Sequence, residues 1–277
     1  MSAERTVFAG RPIVIKIGGV ALERQREAPG LWRAILALHE KHAGGVLLVH
    51  GGGKAVDRIL EKLGMATERK EGLRVTPPEQ MDVIAGVLAG STNKSLVGAI
   101  NREAARVARA GARAVGLCLG DGGAMQSRVV TGLAFDPGRV GEVSGGDGRL
   151  LRELLRQKFL PVVACVGIDG EGELLNINGD DAAAGVARVL GASALVLLTD
   201  VEGVKDADGC IVSEMDGAGV EAMIARGEAT GGMIAKLRAA HRVAQECGLA
   251  VTIMSGTTTD PLERWALGER VGTTVVA

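Results

Sequence analysis

Short apolar runs closed by glycine, each followed by a stretch with helical spacing, recur along the whole chain. Ile13-Val14-Ile15-Lys16-Ile17 is the first such run, and Gly18-Gly19 ends it. A nearly continuous apolar run bounded by Gly reads as a strand covered on both faces. In residues 31–42 the apolar positions 31, 32, 35, 36 and 38 have the spacing of a helix. Gly44-Gly45 breaks it, and residues 46–49 form the next buried strand. His50-Gly51-Gly52-Gly53 follows, then a predicted helix over 54–63. The order strand, helix, strand, glycine loop, helix predicts parallel strands, whose ends are where such sheets bind ligands.

The pattern continues downstream. Pro77-Pro78 opens a helix with Thr76 as its expected N-cap and Glu79 in its first turn. Met81, Ile84 and Leu88 share one face, and the helix is expected to run to about Arg106 with a bend around Gly90. Residues 114–119 and 160–166 read as strands, 127–131 with 139–143 as a hairpin or flap, and 150–157 as a helix. After a strand ending near Leu175 comes a helix over 182–190. Residues 194–198 are a strand, 215–226 a helix, and a further helix begins near Thr230 with 233, 237, 240, 244 and 247 on one stripe. Residues 251–254 and 271–276 complete the sheet. The fold class expected is α/β: a three-layer αβα sandwich with a mainly parallel central sheet. Residues 1–277 read as a single domain with two lobes, 1–175 and 176–277.

Several polar residues interrupt this pattern. Asn176, Asn178, Asp180 and Asp181 crowd the passage into the 182–190 helix. One Asn or Asp suffices as a cap, so the surplus leaves both a cap and a site open. Lys16 is either an edge residue or a charge aimed at a site, and the glycines after it let an anion approach the backbone. Lys236, near the positive end of its helix, is electrostatically misplaced unless an anion binds there. Arg74 is either solvated or a carboxylate fork facing the glycine triplet. His50 reads as a packed residue rather than a base.

Composition narrows the function. The chain has 277 residues, 47% of them hydrophobic, and a net charge of −1. Nothing basic points to nucleic acid or an acidic membrane, and three Phe, two Trp and no Tyr offer no stacking platform. No apolar run of about 18 residues is apparent and no h-region opens the chain, so a cytoplasmic protein is expected. The four cysteines are dispersed without a CxxC, which indicates neither zinc nor a redox pair. There is no GxxxxGK[ST] and no GxGxxG, and the relaxed form at 217–222 follows no strand.

Taken in order, Lys16-Ile-Gly-Gly, His50-Gly-Gly-Gly, Gly72-Leu-Arg-Val-Thr, Asn93-Lys, Gly120-Asp-Gly, Asn176-Ile-Asn-Gly-Asp180, Leu198-Thr-Asp-Val-Glu-Gly203 and Gly232-Met-Ile-Ala-Lys236 resemble the amino acid kinase family over essentially the whole chain. Within it they resemble the branch that phosphorylates N-acetylglutamate in arginine synthesis. The resemblance implies the carbamate kinase-like form of the αβα sandwich, with an acceptor-binding first lobe and a nucleotide-binding second. It implies ATP as phosphoryl donor with Mg²⁺ held by phosphate oxygens and water, N-acetyl-L-glutamate as acceptor, no metal-ligating side chain, and a homodimer. Lys16 and Lys236 would neutralise the transferred phosphoryl group and Asp180 would hold both. Gly52, Gly53, Arg74, Asn176 and Gly19 would bind the acceptor. Gly18, Asp200, Val201, Gly203, Val204, Gly231, Gly232 and Met233 would bind the nucleotide. Two departures stand out: Gly179 occupies a position where many members have Ala, and the residues ahead of Ile13 show no helical period. The second leads to an expectation of no arginine feedback. Kinases for carrier-bound aminoadipate, or a non-catalytic sensor on the same fold, are the alternatives.

Overall fold

Lys16 points where it does because a strand alternates its faces. In the computed structural model, which describes residues 10–23, 28–107 and 113–277, Ile13, Ile15 and Ile17 pack into one core and Val14 into another. Lys16 follows Val14 on the second side. Residues 1–9, on which the expectation about the N-terminus rests, lie outside the described residues.

In chain order the strands are β1 Ile13–Ile17, β2 Val46–His50, β3 Glu68–Lys70, β4 Leu73–Val75, β5 Arg113–Cys118, β6 Gln126–Val129, β7 Val140–Gly145, β8 Phe159–Ala164, β9 Val166–Ile168, β10 Leu174–Ile177, β11 Ala194–Thr199, β12 Glu214–Met215, β13 Val251–Ser255 and β14 Thr273–Val275. The helices are α1 Gly19–Glu23, α2 Pro29–Lys41, α3 Gly53–Lys62, α4 Pro78–Ala85, α5 Asn93–Arg106, α6 Arg149–Arg156, α7 Gly179–Leu190, α8 Gly217–Ala225, α9 Gly232–Cys247 and α10 Asp260–Ala266.

The main sheet has the order β12-β14-β13-β11-β1-β2-β8-β5. Its six strands from β13 to β5 are parallel, and β14 turns antiparallel to β13. Lys16 lies level with Val49 on one side and Leu197 on the other, at the centre of the sheet. One face is covered by α2, α5 and α10 through Trp32, Ile35, Ile100 and Leu262, all fully buried. The other is covered by α3, α4, α7, α8 and α9 through Leu60, Ile84, Val186, Val220 and Leu237. This is the expected three-layer, mainly parallel sandwich.

Several local expectations are corrected. Thr76 does not cap α4: Pro77 stands at the cap with no side-chain bond, and Thr76 Oγ1 donates to the Arg74 carbonyl instead. The bend near Gly90 is a π-helical stretch, Gly86–Thr92, joining α4 to α5. The apolar length of Pro78–Arg106 reaches that of a membrane span, which the sequence pattern did not suggest. Ile84, Leu88, Leu96 and Ile100 bury its apolar side in the protein. Helix α7 starts at Gly179, three residues earlier than predicted, so Asp180 and Asp181 sit in its first turn. The predicted 215–226 helix begins with the edge strand β12. The expected hairpin is β6 against β7, and it belongs to a second sheet, β6-β7-β10-β9, which also takes the strand ahead of Asn178. The β3–β4 hairpin had no predicted counterpart. Its two loop residues, Glu71 and Gly72, both have positive φ, the geometry of a tight two-residue turn.

Candidate active site

Asn178 accepts from the backbone N–H groups of Asp180 (2.8 Å) and Asp181 (3.4 Å) and so caps α7. That leaves the Asp180 carboxylate free of capping, and it lies between two ammonium groups. Lys16 Nζ is 2.9 Å from Oδ1, and Lys236 Nζ donates to Oδ2 at 3.1 Å. β1, α7 and α9 thus meet on one carboxylate. Burial would raise the Asp180 pKa, but Lys16 and Lys236 outweigh it and hold the group below its ordinary range. Asp180 is also the anion that offsets Lys236 near the N-terminus of α9. The two lysines thus meet on Asp180. Asp181 turns away and pairs with Arg242 at 2.9 Å.

A cavity of about 230 Å³ opens beside this triad. Lys16, Gly18, Gly19, Gly52, Gly53, Arg74, Asn176 and Asp180 all line it. Gly52 is the N-cap of α3, with no side chain to block its first amides. Arg74 is 7% exposed at its side chain, so the solvated alternative does not hold. Its Nη2 donates to the Gly53 carbonyl at 3.0 Å and its Nη1 lies 2.6 Å from Asp57 Oδ1. Asn176 donates from Nδ2 to Thr76 Oγ1 at 3.0 Å, which ties β10 to the end of β4.

Three contributors were missed from sequence. Arg69 lines the cavity and pairs with Asp57 at 2.8 Å. Arg69 and Arg74 are directly opposite across the β3–β4 hairpin, a like-charge pair that Asp57 bridges. Thr76 orients Asn176. The Glu71-Gly72 turn between alternating residues was the available signal for the hairpin; nothing local marked Asp57.

The seven remaining residues expected at the nucleotide do not line this cavity. Asp200 and Val201 follow the end of β11, and Thr199 Oγ1 donates to Asp200 Oδ1 at 3.0 Å. Gly203 packs closely against Ile211 and Thr273, and Val204 is buried with its N–H on Thr273 Oγ1 at 2.8 Å. Gly231, Gly232 and Met233 form the N-terminus of α9, one turn ahead of Lys236. His50 is fully buried at the end of β2, and burial pushes its pKa down to about 4. It is neutral at pH 7 and does not line the cavity. All four cysteines are free; Cys165 borders the cavity, where burial raises its thiol to about 11.

Among the described residues the ion-pair partners of Lys16, Lys236, Arg69 and Arg74 are Asp57 and Asp180, two carboxylates against four cations. With glycine amides at a helix start, the site is built for anions rather than for proton transfer. Among the described residues no three His, Cys, Asp or Glu side chains converge as a metal cage.

A family profile described as the amino acid kinase family matches residues 11–255. The acetylglutamate kinase of Pectobacterium carotovorum subsp. carotovorum (strain PC1) is 41% identical over 266 residues, covering 96% of this chain and 99% of that one. The acetylglutamate kinase of Vibrio vulnificus (strain YJ016) is 40% identical over 262 residues, 95% of each. The carbamate kinase of Giardia lamblia bound to AMP-PNP has a similar fold, with a TM-score of 0.67 at 20% identity over 97% of this chain and 99% of that one.

Proposed function

The chain belongs to the amino acid kinase family, and on that premise we propose that it transfers the γ-phosphoryl group of ATP to the side-chain carboxylate of N-acetyl-L-glutamate, the second step of arginine biosynthesis. The observation that carries this reading is Asp180 between Lys16 and Lys236 at the edge of a glycine-lined cavity that also holds Arg74 and Asn176.

The acceptor carboxylate is ionised at pH 7, so no general base is needed. One of its oxygens attacks Pγ, the bond from Pγ to the β,γ-bridging oxygen breaks, and ADP leaves with that electron pair. The products are ADP and an acyl phosphate. The barrier lies in bringing two anions together and balancing charge on the transferred group. Lys16 and Lys236 supply the balancing charge and Asp180 keeps both aimed. The amides of Gly52 and Gly53 orient the attacking carboxylate, with Gly18 and Gly19 beside the phosphoryl. Arg74 and Asn176 clamp the rest of the acceptor. The segments 200–204 and 231–233 contact the nucleotide.

The residues present fit an Mg²⁺ that arrives on the nucleotide: the one carboxylate between the lysines, Asp180, is already committed to them. When bound, the ion would screen charge on the phosphates. On this reading residues 1–175 form the acceptor lobe and 176–277 the nucleotide lobe, and the protein works as a cytoplasmic homodimer, which light scattering and cell fractionation would test.

The deciding experiment is an ADP-release assay with N-acetylglutamate, glutamate, aspartate and 2-aminoadipate offered separately. N-Acetylglutamate should be turned over best. Glutamate should be poor, because its ammonium would be desolvated where a neutral amide fits. Equal turnover of the two would end the assignment.

A further inference from the structure

The acceptor loop is underpinned by a polar chain that runs from the buried His50 and Asn93 out to the exposed Lys94. Along β2, Leu47 and Val49 face the Lys16 side, while Val46 and Leu48 face the other. His50 continues the second set, under α5. There Asn93, fully buried, lies with Nδ2 3.0 Å from His50 Nε2. The same Nδ2 donates to the Val162 carbonyl at 2.9 Å. Asn93 Oδ1 accepts from Lys94 Nζ at 3.0 Å, and Lys94 Nζ also donates to the Gly116 carbonyl at 3.1 Å. A side chain at Gly116 would overlap Asn93 Oδ1 and Lys94 Nζ, so a glycine is required there.

The amide of Asn93 is therefore oriented from both ends: its nitrogen donates and its oxygen accepts. His50 Nε2, facing a donor, carries the lone pair. The ring proton is on Nδ1, which lies 2.8 Å from the Gly51 carbonyl and donates to it. The low pKa of His50 agrees with a ring holding a single proton at pH 7.

In a trans peptide the C=O of one residue and the N–H of the next point in opposite directions. The Gly51 carbonyl and the Gly52 N–H share one peptide unit. Holding the carbonyl toward the imidazole, on the α5 side, turns the Gly52 N–H to the opposite side. The cavity is lined by Gly51, Gly52 and Lys16 and by neither His50 nor Asn93. We propose that His50 and Asn93, with Lys94 behind them, are positioning residues that set the Gly51–Gly52 peptide plane so that the Gly52 N–H meets the acceptor carboxylate. This rests on the acceptor reading of the cavity given above.

The test has two arms on the full-length protein. The first is ¹⁵N NMR of histidine-labelled protein at pH 7; the chain has four His, and loss of one signal in His50→Leu assigns the resonance. His50 is expected as the Nδ1–H tautomer, and an Nε2–H tautomer would overturn the proposal. The second is steady-state kinetics of His50→Leu and Asn93→Leu with thermal unfolding as control. The KM for the acceptor should rise about ten- to hundredfold, the scale for one hydrogen bond to a charged group, with the KM for ATP unchanged. Acceptor KM at the wild-type value in a folded variant, or both KM values rising together, would overturn it. The tautomer is read without turnover. A protein inactive on N-acetylglutamate would thus overturn the acceptor assignment, while the spectrum alone would decide the chain of hydrogen bonds. If neither variant folds, the tautomer decides, with the His50 resonance assigned by elimination from single substitutions of the other three histidines.

Discussion

Replacing Asp180 by Asn keeps the shape of the side chain and removes its charge. The amide has one acceptor where the carboxylate has two, so it cannot take Lys16 at 2.9 Å and Lys236 at 3.1 Å together. Two ammonium groups sharing one carboxylate stand roughly 5–6 Å apart. At an effective dielectric constant of about 20 their unscreened repulsion is about 3 kcal/mol. The lysines, 14% and 18% exposed, can relieve it by swinging away from each other and from the transferred phosphoryl. Losing one preorganised group of this kind lowers kcat by about 10²–10³, or roughly 3–4 kcal/mol. The two figures agree, so Asp180→Asn is expected to lower kcat by about 10²–10³. ADP release at saturating ATP and N-acetylglutamate measures it, with thermal unfolding to show that the fold persists. Because Lys16 and Lys236 both pair with Asp180, adding Lys236→Ala to Asp180→Asn should cost far less than the product of the single losses. Turnover within about fivefold of wild type, under one kcal/mol, or multiplicative losses in the double variant, would refute this account of the triad.

Other consequences are equally measurable. Arg74→Lys keeps the charge but loses the fork held by Asp57 and the Gly53 carbonyl; acceptor KM should rise about tenfold or more, and a rise in ATP KM alone would move Arg74 to the nucleotide side. At Gly18 a Cβ would come 2.7 Å from Lys16 Nζ. Gly18→Ala should therefore displace that ammonium and lower kcat about ten- to hundredfold with Tm little changed; unchanged kcat would show that Lys16 needs no fixed seat. Stability should depend on pH through His50, whose pKa falls from 6.5 to about 4 on folding because of burial, with His39 and His42 lowered in the same direction by the same cause. The unfolded chain then binds protons that the folded one refuses, so this contribution is complete above about pH 6.5 and is lost as pH falls toward 4, by roughly 3 kcal/mol for His50. Urea unfolding between pH 7.5 and 4.5 checks it, and a flat profile would contradict it.

Much of this protein follows from local rules. Alternation along Ile13–Ile17 sends Lys16 to one face, and the apolar stripe of α9 is legible residue by residue because pleat and helix periods act over a few neighbours. The surplus of polar residues around Asn178 marked the centre of the site, and the ordered motifs identified the family. Contacts that span the chain were not legible in the same way. Whether Asp180 or Asn178 caps α7, and that Lys236 comes back 56 residues later to share Asp180, depends on how α7 and α9 pack over β1. Thr76 reads as a cap but serves Asn176, which comes from a second sheet that only tertiary pairing creates. Arg69 and Asp57 join the site through a hairpin folding over α3. Short-range sterics and hydrogen bonding write the elements into the sequence. The meeting of distant charges is set by which faces must be buried together, and no window of neighbouring residues contains that information.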